Sequence, residues 1–145
     1  MKRKVIATLM AMTMALGMMS VAASASETEG TDGEPLVIGF SQVGAESDWR
    51  TANTESMKST FSEENGYELI FDDAQQKQEN QLTAIRNFIQ QEVDYILLAP
   101  VTETGWDTVL QEAKDAGIPV IIVDRMVDVS DDSLYTTWIG TDALL

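Results

Sequence analysis

The sequence predicts an α/β fold built on a doubly wound parallel sheet. Three observations predict it. Short apolar runs alternate with amphipathic stretches from residue 35 onward, the connections between them are short, and the runs at 36–40 and 118–123 are almost continuously apolar. Strands that are apolar throughout are buried on both faces, and strand–helix alternation gives βαβ units with right-handed crossovers.

In order, residues 36–40 form the first strand. Residues 48–65 form a helix that stops at Asn65-Gly66, where glycine supplies a left-handed residue. Residues 67–71 are the second strand. Asp73 precedes Gln76 by three, a capping-box spacing, and opens a helix whose inward stripe is Leu82, Ile85, Phe88 and Ile89. Residues 95–99 are the third strand. The helix after it carries Trp106, Val109, Leu110, Ala113 and Ala116, and ends at Gly117 with Pro119 just beyond. Residues 118–123 are the fourth strand and 133–139 a weaker fifth, reached through the acidic turn 128–132. Gly140-Thr141-Asp142 then opens a helix that nothing terminates. The sheet is accordingly expected to be incomplete at its C-terminus, and the sequence to be a fragment.

Residues 1–25 are expected to be a signal peptide rather than part of the fold. Met1-Lys2-Arg3-Lys4 is a positive start, residues 5–19 an apolar core, and Ala23-Ser24-Ala25 a small-x-small cleavage site. The apolar run is shorter than the ~20 residues a spanning helix needs, so no stable membrane insertion is expected. Residues 26–34 (SETEGTDGE) read as an acidic flexible leader, and residues 35–145 as the folded lobe. The expected location is outside the cytoplasm, in a periplasm or at the exterior of the cell envelope. The sequence has no cysteine, which excludes disulfides, thiol catalysis and cysteine metal sites. Its net charge is −15, and loss of Lys2, Arg3 and Lys4 would make it more negative, a balance that argues against nucleic acid. No cofactor or metal is expected; DVSDD at 128–132 lacks the glycine and glutamate of a calcium loop.

Ligands of open parallel sheets bind in the crevice at the carboxyl ends of the strands. Two segments should face it: GFSQVGAESDWR (39–50) and Asp124-Arg125. A carboxylate beside a guanidinium provides acceptors and a forked donor, which suit vicinal hydroxyls or a ring oxygen, and Trp49 can cover an apolar ring face. Each residue also has a plainer reading. Asp124-Arg125 could be a surface pair worth ~0–1 kcal/mol, Trp49 a helix-start core residue, and Arg50 a partner of Glu46 or Asp48. Trp106 reads as core, Asp73 as a cap, and Gln75, Gln76, Gln78 and Gln81 as a solvated face with one member reaching the crevice.

Four strings carry a family resemblance: GFSQVGAESDWR, DDAQQKQENQLTAIRNFI (72–89), LLAPVTETGWDTVLQEAKDAGIPV (97–120) and VDRMVDV (123–129). Together they resemble the N-terminal lobe of periplasmic sugar-binding proteins of the ribose/galactose type, the solute receptors of ABC importers. The resemblance implies a type I periplasmic-binding-protein lobe, one of two joined by a hinge. It further implies a galactose-like or galactofuranose-like monosaccharide ligand, a membrane permease as partner, and a monomer when complete. The implied site residues are Trp49, Arg50, Asp124 and Arg125, with Gln42, Glu46 and Ser47 lining the same pocket from the first loop. Asp48 departs from the small residue expected there; it could cap the helix or alter the pocket charge. Two other functions are weighed against the importer receptor. A sugar-sensing lobe feeding a membrane kinase or chemoreceptor would look the same in this region. A carbohydrate-active enzyme on this scaffold finds little support: there is no histidine, GxGxxG, P-loop or GxSxG.

Overall fold

The computed structural model describes residues 33–141. The signal peptide, most of the acidic leader and the helix expected after Thr141 lie outside the described residues. Five parallel strands form one sheet in the order β2-β1-β3-β4-β5. They are β1 (Leu36–Gln42), β2 (Tyr67–Asp73), β3 (Tyr95–Leu98), β4 (Val120–Val123) and β5 (Thr137–Ile139). Helix α1 (Asp48–Thr60) lies on one face, over Ile38, Phe40, Leu97 and Val123. Helices α2 (Gln78–Gln90) and α3 (Asp107–Asp115) cover the other, where Ile85, Phe88, Ile96, Leu98, Trp106, Leu110 and Ile122 make the larger core. A two-pronged ion pair, Arg86 to Glu112 at 2.8 and 3.0 Å, ties α2 to α3 at the surface.

Several element boundaries differ from the sequence reading, each for a local reason. Helix α1 ends at Thr60 rather than at residue 65. Asn65 Nδ2 donates to the Ser59 and Thr60 carbonyls, which are left over at the helix end, and residues Glu63–Asn65 turn separately as a 3-10 helix before left-handed Gly66 (φ 83°). Asp73 does not cap α2. Strand β2 runs on to Asp73, whose Oδ1 accepts from Gln75 N, while the Ala74 and Gln76 amides still bond to Gln42 and Val43. Both Gln75 (φ 52°) and Gln76 (φ 61°) are left-handed, so the helix starts only at Gln78. The stop at Gly117 (φ 73°) is as expected. Strand β4 begins at Val120, because Pro119 has no N–H for the ladder. Residues Asp132–Leu134 form a 3-10 turn capped by Asp131, which leaves only Thr137–Ile139 in β5. Trp106 is fully buried, but just ahead of α3, with its indole N–H on Thr102 O at 2.8 Å. Among the described residues no helix is long and apolar enough to cross a membrane.

Candidate functional site

The crevice opens where β1 and β4 end, beneath the loop of residues 43–47. Ser47 is the N-cap of α1: its backbone is extended and its hydroxyl accepts from Arg50 N at 3.2 Å. That cap decides where the helix starts and so places Trp49 and Arg50 in its first turn. It also engages the Ser47 hydroxyl, which the sequence reading had placed in the pocket lining. Asp48 is the first helical residue, not the cap.

Arg50 is the centre of the site. It is charged yet 4 % exposed, and its guanidinium reaches three partners. Nε donates to Glu46 Oε1 at 3.1 Å, and Nη1 donates to Asp124 Oδ2 at 2.9 Å and to Gln42 Oε1 at 3.3 Å. A guanidinium has five N–H donors, so both hydrogens of Nη2 remain without a partner among the described residues. No buried side-chain nitrogen or oxygen among those residues lacks a partner, so Nη2 keeps some contact with solvent. Burial would raise the Glu46 carboxyl, but hydrogen bonds from its own backbone and from Arg50, with the Arg50 and Arg125 charges, hold it below the ordinary value.

Gln42 is not on the first loop. It is the last residue of β1 and is wholly buried. Its Nε2 donates to Asn53 Oδ1 (2.9 Å) and Thr54 Oγ1 (3.2 Å), and its Oε1 accepts from Val43 N as well as Arg50. It fixes Arg50 rather than lining the pocket. Trp49 is 56 % exposed, with the Arg50 guanidinium carbon 4.8 Å from its ring centroid. Beside it lies a cleft of about 250 Å³ lined by Trp49, Asn53, Met57, Val123, Asp124 and Gly140, among others.

Asp124 follows β4 with a left-handed backbone (φ 69°), a conformation Asp tolerates better than most residues. Its Oδ2 is held by Arg50, and Oδ1 accepts nothing from the described residues. Arg125 sits on the rim, exposed, with Nη1 donating to Val101 O at 3.3 Å. Of the candidates, then, Gln42, Glu46, Arg50 and Asp124 form one network, with Trp49 stacked beside it, Arg125 at the edge and Ser47 spent on the cap. Among the described residues, no three Asp or Glu side chains come together in a way that could hold a metal.

Sequence reasoning missed Gln81. Its amide is fully buried, donating to Ala99 O at 2.7 Å and accepting from Val101 N at 2.8 Å. It therefore sets the strand-end loop whose carbonyl receives Arg125. The signal was present: Gln81 lies four residues before Ile85, on the inward stripe, where a solvated glutamine does not belong. Replacing it with leucine strands Ala99 O and Val101 N, and each unmade buried bond costs ~1–3 kcal/mol. Gln81→Leu should lower stability in denaturant unfolding by about 2–3 kcal/mol; an unchanged midpoint would contradict this role.

Comparisons with known proteins agree with this fold. The family model described as "Periplasmic binding protein domain" matches residues 38–144. The galactofuranose-binding protein YtfQ of Escherichia coli (strain K12) is 55% identical over 111 residues, covering 77% of this chain and 35% of that protein. A Mycobacterium smegmatis structure in complex with β-D-fucofuranose is 62% identical, with a TM-score of 0.71, over 74% of this chain and 35% of the other. The binding component of the arabinose ABC transporter from Shewanella sp. ANA-3, bound to α- and β-L-arabinofuranose, is 57% identical at a TM-score of 0.70, over 73% and 35%. The chain thus spans about a third of the length of each of these relatives.

Proposed function

We propose, from the premise that the chain belongs to the periplasmic binding protein domain family, that its crevice captures a monosaccharide in the five-membered ring form. The observation that carries this is the buried Arg50, held by Glu46, Gln42 and Asp124 with Nη2 left to donate. Nη2 would donate to sugar hydroxyls, Asp124 Oδ1 would accept from one, and the exposed Trp49 ring would cover the apolar face of the sugar. Arg125 would add a donor from the rim. A cleft of about 250 Å³ lies just under the ~300–1,000 Å³ of typical small-molecule sites, which favours one sugar unit over a chain of them. The relatives bound to fucofuranose and arabinofuranose support the furanose form.

The lobe would act as half of an exported receptor that passes its ligand to a membrane permease, with residues 1–25 directing export and no covalent step. The Shewanella relative, a component of an ABC transporter, favours importer over sensor. The second lobe would close on the sugar by hinge motion.

The test uses the complete reading frame that contains this chain, expressed without residues 1–25. It is titrated with L-arabinose, D-galactose, D-fucose and D-glucose while tryptophan fluorescence is followed. One of the first three should saturate, and Arg125→Ala should weaken it about tenfold, ~1.4 kcal/mol. A folded protein that answers none of them overturns the reading.

A further inference from the structure

Asp124 is held from two sides. From the α1 face Arg50 grips its carboxylate, as described above. From the other side, β5 grips its backbone: Asp124 N donates to Ile139 O at 2.9 Å, and the Trp138 indole Nε1 donates to Asp124 O at 3.2 Å. Trp138 is half-buried, with its ring packed against the α2–α3 core, and it is not among the residues that line the cleft. Gly140 completes the arrangement. A Cβ there would lie 2.5 Å from Asp124 O and 2.6 Å from indole Cε2, so the glycine lets the indole and the Asp124 carbonyl meet.

We infer that Trp138 is a positioning residue for the ligand-facing carboxylate of Asp124, acting through the backbone and never touching the ligand. A non-glycine residue at φ 69° stays there only when its surroundings hold it. The Arg50 contact cannot do this alone, because it grips the carboxylate and leaves the peptide free to turn. The Ile139 carbonyl and the indole N–H pin the two peptide groups that flank the Asp124 Cα. With both ends fixed, Oδ1 is aimed before any ligand arrives, so little ordering remains to be done on binding. Without the indole N–H, the Asp124 carbonyl loses its partner, the peptide relaxes toward ordinary φ values, and the carboxylate swings with it.

This inference rests on the sugar reading, and the experiment separates the two. Trp138→Phe keeps an aromatic ring in the core and removes the donor. Incorporating β-(3-benzothienyl)alanine at 138 keeps the whole bicycle and replaces only the N–H by sulfur, so folding is preserved even where phenylalanine leaves a gap. Both are made in the complete reading frame. L-arabinose and D-galactose affinity, the melting midpoint and amide hydrogen exchange are then measured. The expected result is an affinity loss of about tenfold or more in both variants, with the benzothienyl variant melting close to wild type. Exchange should speed up at the Asp124 amide, while Ile96, whose amide donates to Pro119 O in the core, stays protected. Full affinity in both variants overturns the inference. So does an affinity loss accompanied by equal loosening at Asp124 and Ile96, which marks a merely structural tryptophan. A wild-type protein that binds neither sugar sinks the sugar reading instead, and the exchange pattern still decides whether Trp138 holds Asp124.

Discussion

Replacing Arg50 by methionine should abolish sugar binding, by about a hundredfold or more, and destabilise the lobe by about 2–3 kcal/mol. Methionine keeps much of the length and apolar bulk of the stem, so the loss is that of the guanidinium. Three acceptors then lose the guanidinium at once: Glu46 Oε1, Asp124 Oδ2 and the buried Gln42 Oε1, which keeps only its bond from Val43 N. Removing one partner of a fully buried pair costs ~3–5 kcal/mol, because the other charge is stranded. Here the Glu46 and Asp124 side chains keep 27% and 32% exposure, so water compensates in part and the cost falls below that range. Two carboxylates left facing the same crevice would also repel each other. Arg50→Lys should not restore binding, since a single ammonium cannot meet three acceptors and still present two donors. Calorimetric titration and urea unfolding of both variants check the pair of effects, and a lysine variant of wild-type affinity would refute the fork geometry.

A second large effect is expected within the sheet. Gly39 lies in the middle of β1, paired to Ile70 on one side and Ile96 on the other. A Cβ at this position would lie 2.5, 2.7 and 2.9 Å from three atoms of the Phe88 ring, closer than carbon atoms approach. Phe88 is 2% exposed on the inner face of α2, packed among the core residues of that face. The strand cannot shift, because ladders hold it on both edges. Gly39→Ala should therefore cost about 3 kcal/mol, the upper end of the ~1–3 kcal/mol typical of overpacking. The double variant Gly39→Ala, Phe88→Leu should recover part of that, since the smaller side chain makes room for the methyl. Thermal and denaturant unfolding of the three variants decide it; a Gly39→Ala midpoint equal to wild type would mean that the ring moves freely after all.

What could be read from the residues and what could not divide along a physical line. Local signals worked where one short stretch decides the outcome. Gly66 and Gly117 are left-handed as their settings required, and the apolar runs became the strands. They failed where a distant partner competes. The spacing of Asp73 and Gln76 fits a capping box, yet the backbone of Ala74 and Gln76 bonds instead to the end of β1, some thirty residues earlier in the chain. The same holds at the site. Asp124 and Arg125 could be picked out as a strand-end pair, but they part company in space, one turning to Arg50 and the other to Val101. That Arg50 would meet Asp124, 74 positions away, is a consequence of the strand order that places β4 two strands from β1. Ser47 and Gln42 were selected for their loop, but each is occupied by the helix that begins there.

The described sheet has two outer strands, and they differ in a way that bears on how copies of the chain meet in concentrated solution. Strand β2 is seven residues long and offers an open row of backbone groups, the kind of margin along which sheets of neighbouring molecules fuse. It carries Glu68, Asp72 and Asp73, and burial pushes the Asp72 carboxyl above its ordinary value against the pull of the Ser41 hydroxyl. A second copy approaching this margin would have to bring like charges together. Strand β5, outermost on the other side among the described residues, is only three residues long and offers few ladder bonds. The acidic side chains of β2 thus work against edge-to-edge pairing through its margin.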